Sequence, residues 1–133
     1  MSAVRTLRAH WPEYLIEGWA LGMFMISAGV ITTLFDYPGS PVNRALHDSD
    51  LQRVLIGACM GLTATALIYS PWGKRSGAHM NPAVTLTFLR LGHVARWDAL
   101  FYIVAQFIGG TLGVLLVWML LGEAFAKIGR AHV

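Results

Sequence analysis

Few side chains in this 133-residue chain have a type and spacing able to do chemistry, and the densest group is Ser76-Gly77-Ala78-His79-Met80-Asn81-Pro82-Ala83-Val84-Thr85. Proline at a first helical position gives up no hydrogen bond, and asparagine just before it is a preferred N-cap. Asn81 is therefore expected to cap a helix whose first residue is Pro82. That helix runs from Ala83 to about Leu91, where Gly92 and the polar group His93, Arg96 and Asp98 end it. At 1.5 Å per residue it is about 14 Å long, half a bilayer. A helix start at the middle of a membrane is a functional device, because it leaves backbone groups unpaired where lipid cannot pair them. The Gly-rich, polar stretch Gly73 to Met80 before it must then be buried in protein or line a wet cavity, as a re-entrant loop does.

The other candidates are sparse. Glu17 lies in an apolar run, is costly in lipid and should face the interior of a bundle; a proton-relay role is the sharper alternative. His79 has no second His, Cys or carboxylate at metal-ligand spacing, so a hydrogen-bonded loop anchor is expected and no metal. Gln106 is expected to hydrogen-bond the same loop. An enzyme would need a nucleophile with its base, or a metal cluster, and the apolar runs offer only Glu17, Gln106 and scattered Ser and Thr. No enzyme and no cofactor is expected.

Positioning these residues falls to long apolar runs. The chain is 56% hydrophobic and 13% charged, which is the composition of an integral membrane protein. Three runs are long enough to cross a bilayer: Tyr14 to Leu34, Val54 to about Tyr69, and Ala99 to Leu121. The expected fold class is thus an all-α membrane protein, with three transmembrane helices plus one re-entrant half-helix over about 73–91. The first run exceeds the length of a signal-peptide core and lacks a small-x-small cleavage site, so a signal peptide is the weaker reading. Each span carries two glycines four apart, Gly18 and Gly22, Gly57 and Gly61, Gly109 and Gly113, which favours a tight bundle. Cys59 is alone, so there is no disulfide framework.

Net charge is +3 and needs no nucleic acid to explain it; its distribution carries the information. Arg5 and Arg8 precede the first span, and Lys74, Arg75, Arg90 and Arg96 lie between second and third, against Arg44 and Arg53 between first and second. The excess of positive charge on one side places the N-terminus and the Asn81 loop in the cytoplasm of a cell (plasma or inner) membrane. The loop from Phe35 to Asp50 goes outside.

These residues resemble the N-terminal half of an aquaporin or aquaglyceroporin, the major intrinsic protein family, from about Glu13 to Gly122. The Ser-Gly-x-His-x-Asn-Pro-Ala-Val pattern at 76–84 carries the resemblance. Glu17-x-x-x-x-Gly22, Gly61-Leu62-Thr63 and Ala105-Gln106-x-x-Gly109-Gly110 add to it. The resemblance implies a passive channel for water or a small neutral solute such as glycerol, built from two inverted repeats and tetrameric at full length. It implies that the Asn81 amide donates to passing water, that the carbonyls of Gly77, Ala78, His79 and Met80 form an acceptor ladder, and that the positive helix start at Pro82, Ala83 and Val84 repels cations. Glu17 and Gln106 would brace a re-entrant loop, this one or its counterpart. Met60 falls where the family places an aromatic of its outer constriction, which suggests a wider filter; a core Met is the equal alternative. Ser70-Pro71-Trp72-Gly73-Lys74-Arg75 departs from the family as a longer, more basic linker.

The family pore needs a second Asn-Pro-Ala, absent from this chain. The expectation is one repeat over 1–126, non-conducting by itself, followed by a tail at 127–133 that resembles a translated sequencing adapter. The alternative is a half-channel that pairs with itself or with a full-length channel. Antiparallel self-pairing is disfavoured by the strong charge bias.

Overall fold

The structure, a computed structural model, describes residues 2–122 and 124–125. The expected tail at 127–133 lies outside them. Six helices and no strand are found among the described residues. Helix α1 spans Ala3–Asp36, α2 Pro41–Ala45, α3 Ser49–Tyr69, α4 Pro71–Ser76, α5 Pro82–Arg90 and α6 Arg96–Leu121. The helices α1, α3 and α6 are each long and apolar enough to cross a membrane. The fold is that of an all-α membrane protein.

All three spans begin earlier than their apolar runs. In α1 the helix starts at Ala3, with the Ser2 side chain accepting from Arg5 N–H, and it carries Pro12 inside it. Its 34 residues give about 51 Å, well beyond a hydrocarbon core of about 30 Å, so one end of α1 projects past the apolar layer. Water at that depth can satisfy the Arg8 carbonyl that Pro12 leaves without a donor. Asp48 caps α3 by accepting from the N–H groups of Asp50 and Leu51. Hydropathy marks where lipid is, whereas caps mark where helices start.

The main packing is α1 against α6, made possible by glycine. A Cβ on Gly18 would stand 3.0 Å from the Ala105 carbonyl oxygen, and one on Gly22 2.9 Å from that of Gly109. Across the crossing, a Cβ on Gly113 would stand 2.5 Å from the Gly22 carbonyl oxygen, and one on Gly109 would come closer still to that of Gly18. Backbone meets backbone there, as small residues allow in a medium that gives helices little hydrophobic drive to associate. Further along, a Cβ on Gly29 would meet Val117, which is buried. The buried face of α6 runs Ala99, Tyr102, Gln106, Gly110, Gly113, Val117, a stripe of threes and fours.

Two expectations are corrected. The glycine pair of α3 does not tighten the bundle: a Cβ on Gly57 or Gly61 would meet nothing within 4 Å. Helix α3 touches α1 and α4 but neither α5 nor α6, so among the described residues nothing covers this face. The stretch from Gly73 is not all loop either. Residues 71–76 form α4, with Ser70 accepting from Gly73 N–H and Pro71 in the first turn. This is the same cap-then-proline start as Asn81-Pro82, and it absorbs the basic linker into a helical turn. Gly73 is needed because a Cβ there would strike the Leu67 carbonyl at the end of α3.

Candidate functional site

Between α4 and α5 lies the loop 77–81, and its backbone is unusual. Gly77 (φ 88°) ends α4 in the left-handed region, and Ala78 (φ 49°) and Met80 (φ 53°) adopt it too, although neither is glycine. Left-handed residues with side chains cost energy unless something holds them. What holds them is Glu17, which is fully buried on α1. Its Oε1 accepts from the Ser76 hydroxyl (2.9 Å) and the His79 N–H (3.0 Å). Its Oε2 accepts from the Met80 N–H (2.9 Å) and the Gln106 side-chain amide (2.9 Å). Four donors from three chain segments thus converge on one carboxylate, which answers the desolvation cost of placing it there. The sequence left open which loop Glu17 would brace; in the structure its hydrogen bonds go to this one.

The peptide groups of the loop are sorted by this arrangement. A trans peptide points its N–H and C=O in opposite directions, and no cis bond occurs among the described residues. With the N–H groups of His79 and Met80 on Glu17, the carbonyls of Ala78 and His79 face away from it. Ala78 N–H donates to Ser76 Oγ at 3.1 Å, which turns the Gly77 carbonyl outward likewise. The carbonyl of Met80 is under no such constraint.

Helix α5 begins as its sequence requires. Asn81 is extended (φ −161°, ψ 128°), and its Oδ1 accepts from Ala83 N–H at 2.7 Å. That bond leaves the Asn81 side-chain NH₂ free to point outward, and Asn81 and Ala83 are both exposed while Pro82 is half-buried. Nine residues give α5 a length of about 14 Å. Its one buried residue is Thr85. Thr85 Oγ1 lies 2.9 Å from His79 Nδ1 and accepts from the Gln106 amide at 3.0 Å. His79 also stacks on Phe88 of α5, with ring centroids 4.9 Å apart, and sits 5.0 Å from Tyr102 of α6. It thus touches loop, half-helix and span at once.

Gln106 is fully buried and its orientation is dictated by its neighbours. The carboxylate can only accept, so the amide nitrogen must face Glu17, and Oε1 is turned the other way, without a partner among the described residues. Of the residues singled out from sequence, Glu17, Gly77, Ala78, His79, Met80, Asn81, Pro82, Ala83 and Gln106 come together. Met60 does not join them: it is half-buried on α3, which makes no contact with α5.

Sequence reasoning named Ser76 and Thr85 in the motif without giving them a role, and missed Tyr102. The Tyr102 hydroxyl donates to the Ser76 carbonyl at 2.6 Å and fixes the end of α4. The signals were there: Tyr102 is one turn before Gln106 on α6, and Thr85 is one turn after Asn81 in a mostly apolar half-helix. A second polar group also went unread. Asp98 in the first turn of α6 accepts from the Tyr14 hydroxyl at 2.6 Å and pairs with His10 Nδ1 at 2.8 Å. It ties the projecting end of α1 to α6.

This geometry can be set beside known proteins. No solved structure matches the chain. The chain is 46% identical over 74 residues to a probable aquaporin AqpM of Archaeoglobus fulgidus, which covers 56% of this chain and 30% of that protein. It is 38% identical over 131 residues to aquaporin A of Dictyostelium discoideum, covering 98% of this chain and 43% of that one. Aquaporin-1 of Pongo abelii is 31% identical over 107 residues, 80% of this chain and 38% of that protein. The chain therefore spans less than half the length of these curated relatives. The family model described as major intrinsic protein matches residues 5–132, nearly the whole sequence. With the capped half-helix, its braced loop and the glycine crossing all inside that match, the chain belongs to the major intrinsic protein family.

Proposed function

We propose that this chain is the first repeat of a passive channel for water or a small neutral solute such as glycerol, and that it supplies one half of the pore. The observation that carries this reading is the sided loop, whose N–H groups are turned onto Glu17 while the carbonyls of Gly77, Ala78 and His79 face outward beside the free amide of Asn81. Such a wall gives a passing hydroxyl a row of acceptors ending at one donor. The positive start of α5 at Pro82–Val84 disfavours a cation at the same point. The flank bearing Asn81, Ala83, Val84 and Leu86 is exposed, as is most of α3, which is where a second, inverted repeat would sit. In this reading the chain alone does not conduct, and the complete channel is tetrameric, with the N-terminus in the cytoplasm of a cell membrane. Met60, half-buried on α3, is the candidate filter residue of this half.

Osmotic stopped flow tests the proposal. Vesicles holding a polypeptide that joins this chain to an inverted second repeat should shrink faster than empty vesicles, and vesicles holding this chain alone should match the empty ones. Equal rates for the joined protein and empty vesicles would overturn the reading. One observation favours a second reading, a non-conducting partner of a full-length channel: the Gly57 and Gly61 pair has the spacing of a close helix contact yet has nothing against it among the described residues. Co-purification with a larger homologue, lost in Gly57→Leu/Gly61→Leu, would support it.

A further inference from the structure

A cleft of about 310 Å³ lies on the flank between α1 and α4, away from the loop, lined by Trp11, Pro12, Leu15, Trp19, Trp72 and Arg75. Its aromatic wall is ordered: Trp19 and Trp72 meet edge to face with ring centroids 5.0 Å apart. Trp11, Leu15 and Trp72 are each more than half exposed. Arg75 gives one nitrogen, Nε, to Glu13 Oε1 at 3.0 Å, which fixes the plane of the guanidinium while its side chain stays 55% exposed. The terminal nitrogens of that fork are left for another acceptor.

Of the basic residues around the cleft, Arg75 is paired through one nitrogen and the others are not neutralised. On a helix, positions three and four apart share a face, so Arg5 and Arg8 stand on the same stripe of α1 as Pro12, Leu15 and Trp19. Lys74 adjoins Arg75 on α4. Arg5, Arg8 and Lys74 form no ion pair among the described residues. The acids at this end are already engaged, Glu13 with Arg75 and Asp98 with His10 and Tyr14. The result is a patch of net positive charge at the polar end of a cleft whose other end is indole and leucine.

We infer that this cleft is a binding site for an anionic phospholipid, with the headgroup phosphate on Arg75 and Arg8 and an acyl chain along Leu15, Trp19 and Trp72. The chemistry of the site matches both parts of that ligand. A guanidinium fork takes two phosphate oxygens at once, exposed indoles seat at the depth of the glycerol backbone, and the charge selects a net negative headgroup over a zwitterionic one. A neighbouring protein helix would answer the apolar part alone and would bury unpaired charge. The inference does not depend on whether the protein conducts.

Fluorescence tests it, because three of the five tryptophans line the cleft. The chain carrying Trp97→Phe/Trp118→Phe is reconstituted in phosphatidylcholine nanodiscs with increasing fractions of lipid brominated on its acyl chains. Bromine quenches indole on contact. Brominated phosphatidylglycerol should reach half-maximal quenching at a mole fraction lower by about fivefold or more than brominated phosphatidylcholine, the preference one basic side chain near the surface supplies. Arg8→Gln/Arg75→Gln should abolish the difference, whereas Arg44→Gln/Arg53→Gln, which removes equal charge from α2 and the start of α3, should keep it. Equal quenching by the two lipids overturns the inference, and that comparison needs no charge variant to fold. A difference that survives Arg8→Gln/Arg75→Gln overturns it as general surface charge. An absence of quenching by either lipid overturns it in favour of a protein surface covering the cleft.

Discussion

Replacing Glu17 by Gln is the most direct test of how the loop is held. The side chain keeps its shape, so packing in the buried site is preserved. One carboxylate oxygen becomes an NH₂ group, which must face two of the four present donors. The least damaging placement points it at Ser76 Oγ and the His79 N–H, because the Ser76 hydroxyl can rotate and accept. The His79 N–H is then left without an acceptor, losing a bond to a charged group worth about 1.5–3 kcal/mol. The other three bonds survive as neutral ones, weaker by about 1 kcal/mol each. Removing a charge from a buried site works the other way. The expected net loss is about 2–4 kcal/mol, which is roughly 30-fold or more in the unfolding equilibrium. Reversible unfolding in mixed detergent micelles measures that number, and amide exchange at His79 and Met80 locates it. Glu17→Gln unfolding within about 1 kcal/mol of wild type, with unchanged exchange at His79, would refute the reasoning, since no four-donor brace could then be holding the loop.

The glycine crossing gives a paired prediction: Gly109→Ala should destabilise by about 1–3 kcal/mol, whereas Gly57→Ala, which meets open space, should be neutral or slightly stabilising in the same unfolding assay. Asn81→Ala should cost about 1 kcal/mol through loss of the Ala83 cap, and Asn81→Asp should not, because a carboxylate caps equally well and complements the helix start. In a conducting full-length channel the same Asn81→Asp should weaken discrimination against cations, read as a reversal-potential shift in a salt gradient. A tag before Ser2 should resist protease added outside intact cells; clean external cleavage would invert the proposed orientation.

The half-helix was legible because its signal is local: Asn-Pro at the cap and first turn fixes a start whatever surrounds it, and α5 begins at Pro82 as expected. The same logic applied to Ser70-Pro71 and would have found α4, but the Gly and basic residues after it read as linker. The spans were legible as apolar runs, and their true starts at Ala3, Ser49 and Arg96 were not, since helix propagates through polar residues once capped. Glu17 could be placed inside a bundle from cost alone. Its partners could not, because their identity depends on how α1 and α6 cross, and only the carbonyl contacts of Gly18, Gly22, Gly109 and Gly113 define that. The glycine spacing of α3 was the same sequence signal with no contact behind it here.

The crossing and the brace together bear on the order in which the protein assembles. Glu17 lies 59 residues before Ser76 and 89 residues before Gln106 along the chain. During synthesis α1 therefore reaches the bilayer long before any of its donors exist, carrying a carboxylate at a cost of about 2.5–3.5 kcal/mol if it sits at the helix centre. The apolar residues of α1, with a mean hydropathy of 1.6 over its most apolar stretch, must carry that side chain into the membrane by themselves. Only when α6 inserts and seats its glycines against α1 does Gln106 arrive beside Glu17. Docking of α6 on α1 thus completes the brace, and a re-entrant loop formed before it would have Glu17 to close upon but neither Gln106 nor Tyr102 of α6 to hold it there.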